Sequence, residues 1–120
     1  MDQSDLVSVE VEQLDQPPVA LIRVRGELDF GTTPRLVEAM AGLPEPGRHL
    51  VFDLGGLEFC DSSGLGALIA AYKAAEETGS EVYLAGPQRA VLTALSVTAV
   101  DQLFRIRPDV GTVLAELGSG

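Results

Sequence analysis

A buried-strand pattern joined to an amphipathic-helix pattern by a serine loop constrains this chain more than any other feature. Residues 49–54 are apolar and bounded by glycines on both sides, which predicts a short strand inside a sheet. Over 65–78, apolar side chains recur at i, i+3, i+4 and i+7, which predicts a helix with one core-facing stripe. The segment Asp61-Ser62-Ser63 therefore lies where a strand gives way to a helix. Either serine is suited to cap that helix with its hydroxyl oxygen.

The remaining patterns alternate strands with helices. Strands are predicted over 7–11, 19–25, 49–54, 81–85 and 103–107, and helices over 33–42, 65–78, 86–95 and 108–117. The first two strands are separated by a short break and should pair antiparallel, whereas the helices between later strands require parallel pairing through right-handed crossovers. The predicted fold class is α/β, with a mixed, mostly parallel five-stranded sheet flanked by helices in the order ββαβαβαβα. We expect one domain over 1–120, with its core over about 6–117.

Charge and hydropathy narrow the function classes. The 120 residues include 18 acidic and 8 basic side chains, a formal net charge of −10. Nucleic-acid binding is disfavoured, because a basic stripe is the expected footprint on a phosphate backbone. The sequence has no apolar run long enough to span a membrane, and residues 1–5 lack the basic region of a signal peptide. We therefore expect a cytoplasmic protein that contacts neither nucleic acid nor membrane.

The residues also argue against catalysis, cofactors and metals. A serine hydrolase needs a base beside its nucleophile, but the single histidine, His49, begins the strand whose far end leads to Ser62. Gly64 and Gly66 are not followed by the third glycine of a dinucleotide-binding loop. Neither the acidic residues around the serine loop nor the single cysteine forms a recognisable metal cage. We expect no enzyme activity, no cofactor and no metal site.

Two short motifs carry a family resemblance. The hexapeptide DSSGLG at 61–66, with GELD at 26–29 upstream, resembles the bacterial anti-sigma factor antagonists, which are single STAS domains related to sporulation and general-stress regulators. The resemblance covers roughly 7–117. It implies the STAS fold, and it implies that the serine directly after the aspartate, Ser62, is phosphorylated by a partner kinase.

The resemblance also implies partners and a binding edge. The expected partners are an anti-sigma factor serine kinase, which the unphosphorylated protein binds so that the sigma factor is released, and a PP2C-type phosphatase. The chain itself is expected to be a monomer or weak dimer. The partner-binding residues it implies are Glu27, Asp29, Asp61, Ser62, Ser63 and Gly64.

Several alternatives stay open on the residues alone. Both serines are plausible at a helix start, so Ser63 is the alternative phosphoacceptor. Glu27 and Asp29 fit ordinary loop and capping chemistry as well as partner binding. The end of the third helix, around 95–102, lacks the glycine usual in the resembled family. A non-switching STAS scaffold subunit, in a stress-sensing or transporter-associated assembly, is the alternative function.

Overall fold

The computed structural model of the chain describes residues 6–119. Residues 1–5, which we expect not to form the basic region of a signal peptide, lie outside the described residues. The elements in chain order are β1 (Val7–Asp15), β2 (Pro18–Leu28), α1 (Thr33–Ala39), β3 (His49–Asp53), β4 (Leu57–Cys60), α2 (Ser62–Glu77), β5 (Val82–Ala85), α3 (Arg89–Val97), β6 (Arg105–Arg107) and α4 (Val110–Gly118). A short 3-10 helix, Val100–Leu103, links α3 to β6. Within residues 6–119, no helix is both long and apolar enough to cross a membrane.

The strands form one mixed sheet, as predicted. Its order is β1-β2-β3-β5-β6, with β1 antiparallel to β2 at one edge and the other neighbours parallel. The α/β class and the antiparallel first strand are confirmed. The described residues contain six strands, however, where the sequence predicted five.

The additional strand, β4, pairs with the part of β2 that β3 does not reach. Strand β2 has eleven residues and β3 only five, so β3 pairs with the first part of β2 and ends at Asp53. The Asp53 carboxylate then accepts a hydrogen bond from the Gly55 N–H at 3.0 Å, and the chain turns back toward the sheet. Strand β4 continues parallel to the rest of β2, with Cys60 opposite Leu28. Unpaired backbone groups are costly when buried, which is why the part of β2 that β3 leaves unpaired takes β4 as a second partner.

The sheet carries a larger core on one face than on the other. Helices α1, α2 and α3 cover the first face, and the fully buried side chains there include Ile22, Leu28, Leu36, Phe52, Leu68 and Leu95. Helix α4 covers the second face over a smaller cluster of Val19, Leu21, Val51, Tyr83, Ala85 and Val113. This unequal covering leaves the starts of α1 and α2 together on the first face.

The open boundary after the third predicted helix is resolved. Helix α3 begins at Arg89 rather than at the predicted 86 and ends at Val97. Ala99 follows with φ of 60°, the left-handed conformation that glycine adopts without strain. The alanine thus stands in the conformation that a glycine would favour, and for a residue with a side chain that conformation costs about 1–2 kcal/mol.

Two glycines on α2 offer a matched test of how closely the helix start packs on the sheet. A Cβ at Gly64 would lie 2.6 Å from Cys60 Sγ and 2.9 Å from Leu28 Cβ, whereas one at Gly66 would meet nothing within 4 Å. Alanine favours a helix over glycine at both positions, so the difference between Gly64→Ala and Gly66→Ala isolates packing. We expect Gly64→Ala to be less stable than Gly66→Ala by about 1–3 kcal/mol, measured by urea unfolding. Equal midpoints would show that the helix start does not press on β2.

Candidate functional site

The two motifs meet because β2 and β4 are paired. Leu28, at the end of β2, lies opposite Cys60, at the end of β4. The Asp61 N–H donates to the Leu28 carbonyl oxygen at 3.0 Å, which continues the ladder by one more bond. Asp29 and Asp61 therefore leave the sheet side by side, and the loop after β2 lies against the start of α2.

The helix cap is Asp61, not either serine. Its backbone is extended, and its Oδ1 accepts hydrogen bonds from the Ser63 N–H at 2.8 Å and the Gly64 N–H at 3.2 Å. The prediction that Ser62 or Ser63 caps α2 is wrong, because a carboxylate one residue earlier already accepts from the free N–H groups. The Ser63 hydroxyl is the largest cause of a lowered pKa at Asp61. Burial opposes it as the next largest effect, and the backbone N–H groups of Gly64, Ser63 and Phe30 lower the pKa further.

Ser63 is held in a hydrogen-bonded chain between the two helix starts. Its Oγ donates to Asp61 Oδ1 at 2.6 Å and lies 3.2 Å from Thr33 Oγ1. Thr33 is buried and is the first residue of α1. The Ser63 hydroxyl therefore has a structural role that joins α1 to α2.

Ser62 differs from its neighbour in both exposure and bonding. It is the first residue of α2 and its side chain is exposed. Over the described part of the chain, its hydroxyl forms no hydrogen bond. Of the two serines, Ser62 is the one whose oxygen is available to an incoming group.

The GELD motif, expected to be a loop, forms the end of β2 through Leu28, and the turn that begins at Asp29 is held by its own side chains. Asp29 Oδ1 accepts hydrogen bonds from the Gly31 N–H at 2.9 Å and the Thr32 N–H at 3.0 Å. The fully buried Thr32 hydroxyl in turn donates to the Glu27 carbonyl oxygen at 2.8 Å. The turn role of Asp29 that sequence left open is present, and any contact with a partner would be in addition to it. Glu27 is half-buried at the end of β2, opposite Phe59.

An apolar surface beside the serines was not predicted from sequence. Phe30 follows Asp29 and is 85% exposed, and Val37 on α1 is 54% exposed. An open groove of about 440 Å³ is lined by Phe30, Thr33, Pro34, Val37, Glu38 and Ser63. The sequence feature that could have indicated this surface is Phe30, an aromatic residue in a predicted loop of a chain with only 5% aromatic residues.

Two other side chains with potential reactivity are His49 and Cys60. His49 lies away from the exposed serine, and Cys60 is unreactive. His49 stands at the opposite end of β3, where its Nδ1 accepts a hydrogen bond from the Glu81 N–H at 2.9 Å. Burial, with a smaller effect of the Asp61 charge, raises the pKa of Cys60 to about 11, so its thiol stays protonated at neutral pH. Among residues 6–119, no group of histidine, cysteine and carboxylate side chains is arranged to hold a metal ion.

Comparison with known proteins identifies a family. The STAS domain model matches residues 8–113. An anti-sigma-B factor antagonist of Staphylococcus aureus is 26% identical over 101 residues, covering 83% of this chain and 94% of the antagonist. The crystal structure of an anti-sigma factor antagonist from Mycobacterium paratuberculosis superimposes with a TM-score of 0.77 at 31% identity, covering 98% of both chains. The murine anion transporter Slc26a9 contains a similar fold, with a TM-score of 0.75 at 17% identity over 95% of this chain and 22% of the transporter.

The Asp61 cap predicts a pH dependence of stability. A carboxylate whose pKa is lowered on folding stabilises the protein above its unfolded pKa, near 3.9, and this contribution is lost as the pH falls toward the folded pKa. We expect Asp61→Asn to be less stable than wild type at pH 7 by under about 1 kcal/mol, because the site is solvent-screened. Chemical denaturation between pH 7 and pH 2 should show the two stabilities converging below about pH 4.

The exposed Glu58 provides the control, since Glu58→Gln removes one negative charge nearby without touching the cap. A constant gap between wild type and Asp61→Asn at all pH values would contradict a charged cap.

Proposed function

The chain belongs to the STAS domain family, and we propose that within it the protein acts as a switchable anti-sigma factor antagonist. In the unphosphorylated form it binds an anti-sigma factor serine kinase and so releases a sigma factor. Phosphorylation on Ser62 ends that interaction, and a PP2C-type phosphatase restores it. The kinase supplies ATP and magnesium, and this chain contributes only the acceptor hydroxyl. It acts in the cytoplasm as a monomer or weak dimer.

The availability of the Ser62 hydroxyl is the observation that carries the proposal. A phosphoacceptor must present its oxygen to the γ-phosphoryl group of ATP, in line with the bond to the leaving ADP. The Ser62 side chain is exposed, whereas the Ser63 hydroxyl donates to Asp61 at 2.6 Å. Transfer to Ser63 would first have to break that charge-assisted bond, and would then place two negative groups against each other. Ser62 is therefore the favoured acceptor and Ser63 the alternative.

The Asp61 cap also explains why phosphate on Ser62 would act on a partner rather than on the fold. The N–H groups of Ser63 and Gly64 already donate to Asp61. A phosphate on Ser62 would find these donors occupied and a carboxylate beside it. It would stay at the surface, adding a charge of about −1.5 to −2 to an already acidic chain.

Such a charge at an interface can weaken binding enough to end the interaction in practice. A loss of about 4 kcal/mol in binding free energy weakens affinity by about a thousandfold. The binding edge that we propose comprises Glu27, Asp29, Asp61, Ser62, Ser63 and Gly64. Asp61 and Ser63 adjoin the acceptor along the chain, and Gly64 lets the helix start lie close to the sheet.

Substitution of the two serines tests the proposed acceptor. The chain is incubated with each anti-sigma factor serine kinase encoded by its source organism, and the phosphorylated residue is located by mass spectrometry. We expect one kinase to modify the wild type and Ser63→Ala on Ser62. Ser62→Ala should take up no phosphate and bind that kinase permanently. Ser62→Asp should remain folded and bind weakly, because its one charge imitates phosphate only in part.

Ser63→Ala serves as the matched control, since it removes a hydroxyl one residue away. Its free energy of unfolding should fall by about 1 kcal/mol, because it loses the hydrogen bond to Asp61. It should still be phosphorylated on Ser62. Phosphate on Ser63 with Ser62 free would refute the assignment. Binding to no kinase, together with stable incorporation into a large assembly, would favour the scaffold alternative.

The charge of Asp29 can be tested separately from its turn role. Asp29→Asn keeps an oxygen that can accept from the Gly31 and Thr32 N–H groups, whereas Asp29→Ala removes it. We expect Asp29→Asn to have the melting temperature of the wild type but to bind the kinase more weakly. Asp29→Ala should bind more weakly too, and its free energy of unfolding should fall by about 1 kcal/mol. Calorimetric titration measures the binding.

Asp53→Asn is the control for this change, because Asp53 also accepts a turn hydrogen bond, from Gly55, on a different part of the sheet. It should bind the kinase like the wild type. Unchanged affinity for Asp29→Asn would limit Asp29 to its structural role.

A further inference from the structure

The groove beside the serines continues along the seam between two helices. A second hollow of about 180 Å³ is lined by Val37, Met40, Leu43, Ala67, Ala70 and Ala74. It shares Val37 with the larger groove at the helix starts. We call the two together the α1–α2 groove. Its mouth lies at Phe30 and Ser63, next to the proposed phosphoacceptor.

The two walls of the α1–α2 groove differ in size. Ala67, Ala70 and Ala74 are spaced by three and four residues and so lie on one face of α2. On the opposite wall, α1 and the loops around it present Phe30, Val37 and Met40. Small residues on one side and larger apolar ones on the other leave a hollow that can accept an inserted side chain.

The exposure of Phe30 and Val37 indicates an unfilled contact. Phe30 is 85% exposed and Val37 is 54% exposed, whereas Met40 in the same groove is half-buried. Burying side chains of this size against a partner removes apolar surface from water and so favours binding. Adjacent exposed apolar residues rimmed by polar groups mark interaction surfaces more often than single scattered ones do.

The charges around the mouth select the kind of partner. Glu38 lines the groove. Asp61 accepts hydrogen bonds from Ser63 and from the Phe30 N–H at the mouth, and Asp29 directly precedes Phe30. The chain as a whole carries a net charge of −10. A second copy of this chain would bring the same carboxylates into contact, and an anionic lipid surface would add more. A protein surface with an apolar side chain among basic residues fits both the hollow and its rim.

We propose that the α1–α2 groove receives an apolar side chain, flanked by arginine or lysine, from the anti-sigma factor kinase. This inference rests on the proposed function and adds the anchor that holds the kinase against the acceptor edge. The basic residues around that side chain would pair with the carboxylates at the mouth. A phosphate on Ser62 would stand at the same mouth, where it would alter the charge and space that the inserted segment meets.

Two substitutions in the groove and two matched ones elsewhere test the proposal. Val37→Ser removes an apolar wall, and Ala70→Leu fills the hollow from α2. The controls are Val97→Ser and Ala90→Leu on α3, where Val97 is 79% exposed and Ala90 is also exposed. The probe is the purified kinase that phosphorylates the wild type. Calorimetry gives affinity, thermal melting gives stability, and steady-state phosphorylation gives kcat and KM.

We expect each groove variant to bind the kinase at least about tenfold more weakly than the wild type, with unchanged melting. The controls should match the wild type. Phosphorylation of the groove variants should show a raised KM at unchanged kcat, because the groove holds the kinase but does not touch the transferred phosphate. Wild-type binding should also weaken as salt is raised, since charges contribute to it.

The possible failures are distinguishable. If the kinase modifies Ser62 but binds Val37→Ser and Ala70→Leu like the wild type, the groove is not its anchor, while the proposed function stands. If the groove variants instead lose self-association in sedimentation, the occupant is a second copy and the inference is wrong. If no kinase binds or modifies the wild type, the proposed function fails and the inference fails with it.

Discussion

The difference in length between β2 and β3 determines the rest of the site. Strand β2 continues past the end of β3, and its unpaired backbone groups require a partner. The chain satisfies them by turning at Asp53 and adding β4 along the same edge. This places Cys60 opposite Leu28, and Asp61 one residue further on. The Asp61 cap, the position of the two serines and the contact between α1 and α2 all follow from that pairing.

At the start of α2, one carboxylate gives two adjacent serines different roles. Asp61 accepts from both N–H groups that a cap can reach and from the Ser63 hydroxyl. Ser63 is thereby fixed between the helices, with Thr33 on its other side. Ser62 lies outside this network. Chemically identical side chains thus become a structural hydroxyl and an accessible one through their positions relative to a single aspartate.

The sequence predicted the parts of this arrangement that depend on local patterns. The strand over 49–54, the helix after the serine loop and the antiparallel first strand follow from periodicity and from the length of connections. Strand β4 was missed because Leu57–Cys60 is short and does not alternate, with Glu58 and Phe59 both exposed. Its pairing depends on the length of β2, a segment about thirty positions earlier. The cap was misassigned because aspartate and serine are nearly equal as caps, and the tertiary position of each decides. The groove depends on how α1 packs against α2, which neither helix pattern specifies alone.

A helix start that is already capped has a consequence for timing. When the N–H groups at the beginning of a helix are free, an arriving phosphate draws them in, and the surrounding backbone has to rearrange before the signal is complete. Here the donors of Ser63 and Gly64 are committed to Asp61 beforehand. A group added to Ser62 would change the surface that a partner meets without any prior backbone rearrangement. Its removal would likewise require no backbone rearrangement. The response time of such a device would be that of the enzymes acting on it, with no delay contributed by the fold itself.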